Sequence, residues 1–224
     1  MPRLFSRLSL LTLTVATLAS SPLAAQWTNR YPQAGGGHQV YLEGYELPTL
    51  TYGPMDPAAS PDGGTVAVAS EGWLWLLDLE TGVARQFTDG GAMDSRPAWA
   101  PDGSEILFVR DDGSDTWIAA RNVATGAERV VVDTDGIELD PSVGPDGSIW
   151  YASGEEGRIE IWRIDPATGE RTKQSTRGRV SRSPQATPDG RAVLIKESVD
   201  RIVLRDLASG QELVLHEGNI MSQM

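Results

Sequence analysis

The sequence predicts an all-β protein, a β-propeller arc of four four-stranded blades that makes up an incomplete propeller. Three observations predict it. Pro-Asp-Gly occurs at Pro61, Pro101, Pro145 and Pro188, at intervals of 40, 44 and 43 residues. In every copy a second proline stands four positions earlier, at Pro57, Pro97, Pro141 and Pro184. In every copy a Thr-Gly or Ser-Gly pair follows, at Thr81, Thr125, Thr168 and Ser209, with Asp78, Asn122, Asp165 or Asp206 three residues ahead of it. Landmarks held at a fixed period mark a repeat architecture, in which each unit buries its faces only by stacking on its neighbours.

Each element follows from these landmarks. In Pro-Asp-Gly the proline presets φ, the Asp side chain bonds nearby backbone, and the glycine takes the positive φ of a tight reversal. Each copy therefore closes a hairpin between a first and a second strand. The second-strand runs are TVAVAS (65–70), EILFVR (105–110), SIWYAS (148–153) and AVLIKE (192–197). They are apolar on both parities, as in a strand covered on both faces. Third strands follow a variable loop: WLWLLD, TWIAAR, IEIWRI and RIVLRD. The Asp/Asn-x-x-Thr/Ser-Gly turn then leads into a fourth, more polar strand, such as VARQFT or ELVLHE. Four antiparallel strands make one blade, and the blades fall at about 55–92, 93–136, 137–178 and 179–217. Trp73, Trp75, Trp99, Trp117, Trp150 and Trp162 lie in or beside strands and are expected in the core between blades.

Residues 1–25 read as a signal peptide. Arg3 and Arg7 precede an apolar run from Leu8 to Ala19, then SSPLAAQ, the layout of a secretory leader. That run is shorter than the roughly 20 apolar residues a membrane span needs, and no later stretch reaches this length. The mature chain is therefore expected to be soluble, without a transmembrane segment, and periplasmic or secreted. Residues 26–54 form a lead-in whose alternating part, VYLEGYELPTLTY, is expected to add a closing strand. No cysteine is present, which excludes a disulfide framework and a lipoprotein anchor. Acidic residues number 31 against 19 basic ones, for a net charge of −12. Loss of Arg3 and Arg7 with the leader makes the mature chain more negative still. Such a field repels phosphate backbones, so nucleic acid is not an expected partner.

Residues 55–224 hold the repeats. The interval from the Thr or Ser of the last turn to the next blade's first proline is always 16 residues. Carried on from Ser209 it falls one place past Met224, so the repeats are expected to be truncated before a fifth blade.

The repeat, clearest in SRPAWAPDGSEILFVRDDGSDTWIAARNVATGAE, resembles the WD-like propeller repeat of TolB, of the tricorn protease and of propellers fused to exported hydrolases. The lead-in YLEGYELPTLTYGPMDPAASPDG is similar to the start of bacterial proteins in which such a propeller precedes an amidohydrolase domain. The resemblance covers the chain from Met55 to about Leu215. It implies a fold more than a task, because one scaffold serves many functions. Two functional expectations come with it. One is a non-catalytic exported module for protein or peptide interaction, the N-terminal part of a larger amidohydrolase-like protein whose fused hydrolase domain would be its partner. The other is a stand-alone TolB-like envelope interaction protein, although TolB carries a sizeable α/β domain before its propeller.

No catalytic residue, cofactor or metal is expected within this chain. An amidohydrolase metal centre, as the resemblance implies it, needs several histidines, and only His38 and His216 exist. There is no Gly-x-Ser-x-Gly elbow for a serine nucleophile, and the run Gly35 to Gly37 stands in a linker rather than before a helix. Two acidic runs, Asp111/Asp112/Asp115 and Asp133/Asp135/Glu138/Asp140, lack the spacing of a calcium loop and are expected as solvated turns. Arg177, Arg179 and Arg182 are expected in a solvated blade connection. The candidate binding residues are those before each blade's first proline: Asp56, Arg96, Asp140 and Ser183. The innermost strands begin there, so these four are expected to ring one mouth of the central channel. Their mixed charge suits a peptide or a loop of a neighbouring domain.

Overall fold

The protein is described by a computed structural model that covers residues 54–174, 179–198 and 200–218. The signal peptide, nearly all of the lead-in, and Arg177 lie outside the described residues. Those described form sixteen strands and no helix. The first sheet contains β1 (Met55–Ala59), β2 (Thr65–Ser70), β3 (Trp73–Asp78) and β4 (Ala84–Gln86). The second contains β5 (Met93–Trp99), β6 (Glu105–Asp111), β7 (Thr116–Asn122) and β8 (Glu128–Val132). The third contains β9 (Glu138–Val143), β10 (Ile149–Ser153), β11 (Glu160–Ile164) and β12 (Arg171–Lys173). The fourth contains β13 (Ser181–Ala186), β14 (Ala192–Glu197), β15 (Arg201–Asp206) and β16 (Glu212–Glu217). Every sheet is an antiparallel meander in chain order. The first strands β1, β5, β9 and β13 pack against one another in turn and form the inner wall of a four-blade arc.

The repeated landmarks act through hydrogen bonds that each turn makes with itself. In the first Pro-Asp-Gly turn the Gly63 N–H donates to Ser60 O at 2.9 Å. The Asp62 carboxylate accepts the Ser60 hydroxyl at 2.5 Å and the Gly64 N–H at 3.0 Å. Gly63 itself has φ of 73°, a left-handed conformation that a side chain would strain. At the second turn, Asp78 Oδ1 accepts both the N–H and the hydroxyl of Thr81, at 2.7 and 2.8 Å. Asn122 does the same for Thr125, at 2.8 and 2.9 Å, and Asp206 for Ser209, at 2.7 and 2.8 Å. These bonds hold the Asp78 and Asp206 carboxyls below their ordinary range.

One blade uses Asn where the others use Asp, which provides a test. Asn122→Ala should cost about 1 kcal/mol in denaturant unfolding, the typical net value of such hydrogen bonds. Asn122→Asp, which restores the residue found in the other three blades, should stay within a few tenths of a kcal/mol of the native chain.

The core lies between blades and not within them. Ala67, Leu74, Leu76 and Phe87 of the first blade meet Ile106, Phe108 and Ala119 of the second. Leu107, Ile118, Ala120 and Val132 of the second meet Tyr151 of the third, with Trp162 packed alongside. Trp150, Ala152 and Ile161 of the third meet Val193, Ile195 and Val203 of the fourth. Both parities of the second strands are buried in the middle of the arc, as their apolar runs require. A fully buried side chain of this size contributes roughly 2 kcal/mol through removal from water.

Four of the six tryptophans expected in the core between blades belong to it. Trp150 is 1% exposed, while Trp99, Trp117 and Trp162 pack against the buried clusters. The Trp99 indole N–H also donates to Ala58 O of the preceding blade, at 3.0 Å. Trp73 and Trp75 depart from expectation. They lie on the face of the first blade that looks away from the second, and they are only half-buried.

Candidate functional site

Asp56, Arg96, Asp140 and Ser183 occupy the same station of the four inner strands, and the structure brings them into one row. All four have positive φ, at 50°, 54°, 51° and 51°. Such a conformation is uncommon for residues other than glycine. Each precedes a proline, whose ring disfavours the right-handed α region at this position, and each lies in a bulge. Pairing with the second strand shifts between Met55 and Ala58, Ser95 and Ala98, Leu139 and Ser142, and Arg182 and Gln185. A bulge takes its extra residue out of the ladder and bends the strand.

Two of the freed N–H groups find acceptors on the neighbouring blade. The Arg96 N–H donates to Asp56 Oδ2 at 3.2 Å. The Ser183 N–H donates to Asp140 Oδ2 at 3.0 Å, and the Ser183 hydroxyl to the same oxygen at 3.3 Å. At the middle junction the side chains meet directly: the Arg96 guanidinium donates to Asp140 Oδ1 at 2.6 Å. The row therefore ties blade to blade, and part of its polar capacity is used within the fold. Asp56, Arg96 and Asp140 are partly exposed and Ser183 is exposed, so the row also presents polar groups outward.

Arg182 completes this cluster, where the sequence reading placed it in a solvated connection. It sits in β13 and donates to Asp140 through Nε at 3.0 Å and through a terminal nitrogen at 3.3 Å. Its signal in the sequence is its register, one place before Ser183. Burial alone would push the Asp140 carboxyl up. The Arg96 and Arg182 charges, with hydrogen bonds from Arg182 and the Ser183 N–H, hold it below its ordinary range.

Two residues earlier in the same strands, Asp94, Glu138 and Ser181 form a second, buried polar tier. Arg110 clamps Asp94 at 2.7 and 2.9 Å and reaches Glu128 at 2.7 Å. Beside Ser181, Glu197 pairs with Arg201. Among the described residues Glu138 has no cation partner. Its Oε1 accepts the Thr134 hydroxyl and, at 3.1 Å, the Ser153 hydroxyl, while Oε2 has no hydrogen-bond partner among the described residues. Burial, reinforced by the Asp115 charge against those hydroxyl bonds, pushes the Glu138 carboxyl up to about 7.

The two acidic runs, separate in sequence, converge in space. Asp115 is pushed up first by burial and then by the charges of Asp133, Asp112 and Asp135. Several of these carboxylates cap their own loop: Asp111 accepts the Gly113 N–H at 2.6 Å, and Asp112 accepts those of Ser114 and Asp115 at 2.8 and 3.0 Å. Asp111 and Glu138 are buried and not solvated, contrary to the reading of both runs as solvated turns. The chain folds them under the next blade. Among the described residues no group of three or more His, Asp or Glu is arranged to hold a metal ion. An open cleft of about 620 Å³ lies beside the convergence, lined by Asp133, Thr134, Asp135, Glu155, Glu156, Trp162 and Arg171. Arg171 lies over the Trp162 ring at 5.4 Å and donates to the Tyr151 hydroxyl at 2.8 Å.

With this geometry in hand, the arc can be set beside known proteins. It is similar to TolB from Acinetobacter baumannii, with a TM-score of 0.67 at 23% identity, covering 74% of this chain and 44% of that one. A TolB-type protein from Agrobacterium tumefaciens gives a TM-score of 0.64 at 21% identity, over 73% of this chain and 66% of that one. The fold is a TolB-like β-propeller. The TolB-like arc also matches puromycin hydrolase, with a TM-score of 0.56 at 19% identity, over 72% of this chain and 30% of that one. In sequence it is 35% identical over 82 residues to the uncharacterized peptidase YuxL of Bacillus subtilis (strain 168), a match that covers 34% of this chain and 12% of that protein. This chain thus spans less than half of the first TolB and about an eighth of the peptidase. No protein-family model matches it. Among the described residues no helix is long and apolar enough to cross a membrane.

Proposed function

We propose that this TolB-like propeller is a non-catalytic module for protein or peptide interaction, exported to the periplasm or beyond and carried at the N-terminal side of an amidohydrolase-like protein. The observation that carries the interaction reading is the row Asp56, Arg96, Asp140 and Ser183. It stands along the inner strands, held by bulges and inter-blade bonds, with polar groups of both signs and a hydroxyl facing outward. Such a rigid, mixed-charge rim suits an extended peptide or a loop of an adjoining domain, which offers both donors and acceptors. Export is supported by the leader-like residues 1–25, and the hydrolase association by two similar proteins, one named as a hydrolase and one as an uncharacterized peptidase, that are much longer than the matched stretch. The amidohydrolase class rests on the lead-in resemblance.

Ser183→His tests the rim, because Ser183 is exposed, histidine is among the residues that tolerate its φ of 51°, and the substitution leaves the Asp140 bonds to Arg96 and Arg182 in place. A purified hydrolase domain from the continuing reading frame should bind the native module and lose at least about tenfold in affinity to the variant, a loss typical of an obstructed contact. Equal binding to both would remove the rim from the interface, and a stop directly after codon 224 would overturn the fused form. For export, residues 1–38 fused to a reporter that is active only outside the cytoplasm should give activity and a shortened product. An inactive, full-length product would overturn that part.

The TolB likeness favours a second reading, a stand-alone interaction protein of the cell envelope. A stop after codon 224, with the rim still binding an envelope protein, would select it.

A further inference from the structure

Glu138, the first residue of β9, joins two segments on either side of its strand. Its Oε1 accepts the Thr134 hydroxyl from the β8–β9 crossing, residues 133–137, and the Ser153 hydroxyl, at 3.1 Å, from the end of β10. Both hydroxyls in turn hold backbone: Thr134 Oγ1 accepts the Gly136 N–H at 3.1 Å, and Ser153 Oγ accepts the Glu155 N–H at 3.2 Å. The crossing lies directly on the loop that follows Ser153. The Gly154 N–H donates to Ile137 O at 3.0 Å, and a Cβ on Gly136 would stand 2.7 Å from Glu155 Cα and 2.8 Å from the Gly154 carbonyl carbon. Only glycine lets the two backbones come this close. One carboxyl thus fastens crossing to loop. The open cleft bordered by Asp133, Thr134 and Asp135 on the crossing, and by Glu155 and Glu156 on the loop, takes its shape from that fastening.

The fastening depends on the proton that the carboxyl carries. Glu138 is 0% exposed, and its Oε2 is buried without a hydrogen bond among the described residues. A neutral carboxyl tolerates this place, whereas a carboxylate loses its solvation there and gains no counter-charge. The cations of the strands packed on β9 serve other carboxylates: Arg110 pairs with Asp94 and Glu128, Arg121 with Glu128, and Arg96 and Arg182 with Asp140. The other neighbours add negative charge or none. Asp115 of the β6–β7 loop opposes ionisation of Glu138, and Asp133, Asp112 and Asp135 crowd Asp115 in turn. Asp111 at the end of β6 is a further buried carboxyl. Tyr151 of β10, pushed up to about 12 by burial, stays neutral. Burial above all, reinforced by Asp115, pushes the Glu138 carboxyl up to about 7.

We propose that Glu138 is a pH-operated latch: protonated, it holds the 133–137 crossing against the 154–156 loop, and ionised, it turns out to solvent and releases both while the blades stay folded. Opening is confined to these segments because the rest of β9 keeps its ladder to β10 and its packing on β5 and β13. Segments held by few bonds open at the lowest cost. The closed form holds the proton more tightly than the open one, whose carboxyl returns to its ordinary value of 4.5. The latch is therefore shut below that pH and loosens about tenfold per pH unit up to about 7. The cleft is the part reshaped, so whatever enters it meets one form in mildly acidic surroundings and another above neutrality. The inference stands apart from the rim and does not depend on what the rim binds.

The test is amide hydrogen exchange, followed by NMR on the purified full chain at about pH 5.5 and about pH 8 and corrected for the intrinsic pH dependence of exchange. Protection of the Gly136, Gly154 and Glu155 N–H groups should fall at least about tenfold at the higher pH, as the linkage requires, while the ladder amides of β6 and β10 keep theirs. Glu138→Gln is neutral at both pH values and keeps an oxygen for the two hydroxyls, so all three groups should stay protected throughout. Thr134→Val removes the crossing's bond to the carboxyl without touching that of Gly154 to Ile137. It should bring the Gly154 N–H at the lower pH close to its native behaviour at the higher one. Native protection that does not change with pH overturns the proposal, and so does an equal loss in Glu138→Gln, which would assign the change to another group. Loss shared by the β6 and β10 ladders would mean global unfolding and overturns the latch, as does full Gly154 protection in Thr134→Val.

Discussion

Asp140→Ala should cost about 1–3 kcal/mol of unfolding free energy, the usual penalty for leaving partly buried donors without their acceptor. The substitution strips the acceptor from Arg96 and Arg182 at once and leaves the Ser183 N–H, already out of the ladder, without its bond. Two guanidiniums that shared a carboxylate would then repel each other, and alanine would have to hold a φ of 51°. Asp140→Asn separates these effects, since asparagine tolerates the left-handed backbone and keeps an oxygen acceptor while losing the charge. It should lie between the native chain and the alanine variant, and equilibrium unfolding in urea measures all three. A loss under 1 kcal/mol for alanine would show that the junction holds without this carboxylate. The pH dependence has a fixed sign. Asp140 lies below its ordinary value of 3.8 when folded, so its contribution is present above that pH and is lost as pH falls further.

Glu138 acts in the opposite sense. Its carboxyl rises from an ordinary 4.5 to about 7 on folding, so the folded chain prefers it protonated. The associated stability is present below about pH 4.5 and is lost as pH rises through 7. A shift of this size corresponds to roughly 3 kcal/mol. Glu138→Gln should abolish that dependence: the stability difference between variant and native chain should move by roughly this amount, in the variant's favour, between pH 4.5 and 8. Tracking the difference, not the native curve alone, cancels the titration of the other carboxylates. A difference that stays constant across the window would mean that Glu138 is ionised in the folded chain at low pH. Since Asp140 and Glu138 belong to the same strand, β9 alone should carry two opposed pH dependences.

How far these sites could be read in advance depends on the range of the forces involved. The turns were legible to the residue because their bonds are local. Asp78 holds Thr81 and Asp62 holds Gly64 within a few positions of sequence, so the repeat displays them directly. The strands between turns were legible for the same reason, with β2, β3, β14, β15 and β16 spanning the predicted runs. The row before each proline was legible as a place but not as a set of bonds. Nothing in the order of residues says that Arg96 turns towards Asp140, or that Arg182 joins it. Those contacts cross between blades, over 40 residues apart in sequence. The burial of Glu138 and the convergence of Asp115 with Asp133 and Asp135 were hidden for the same reason, since a carboxylate near glycines reads as a solvated turn until another blade covers it. Trp73 and Trp75 show the converse, being core-like in type and half-covered on a face of the first blade that meets no other blade among the described residues.

The self-bonded turns also insulate the stack from changes of length. Because each Pro-Asp-Gly and each Asp/Asn-x-x-Thr/Ser-Gly reversal is closed by its own side chains, residues gained or lost elsewhere do not disturb it. Length varies instead where the chain passes from second to third strand: Glu71 and Gly72 suffice in the first blade, while residues 112–115 and 154–159 fill the same passage in the next two. Those passages are where insertions can accumulate while the inner rim keeps its register.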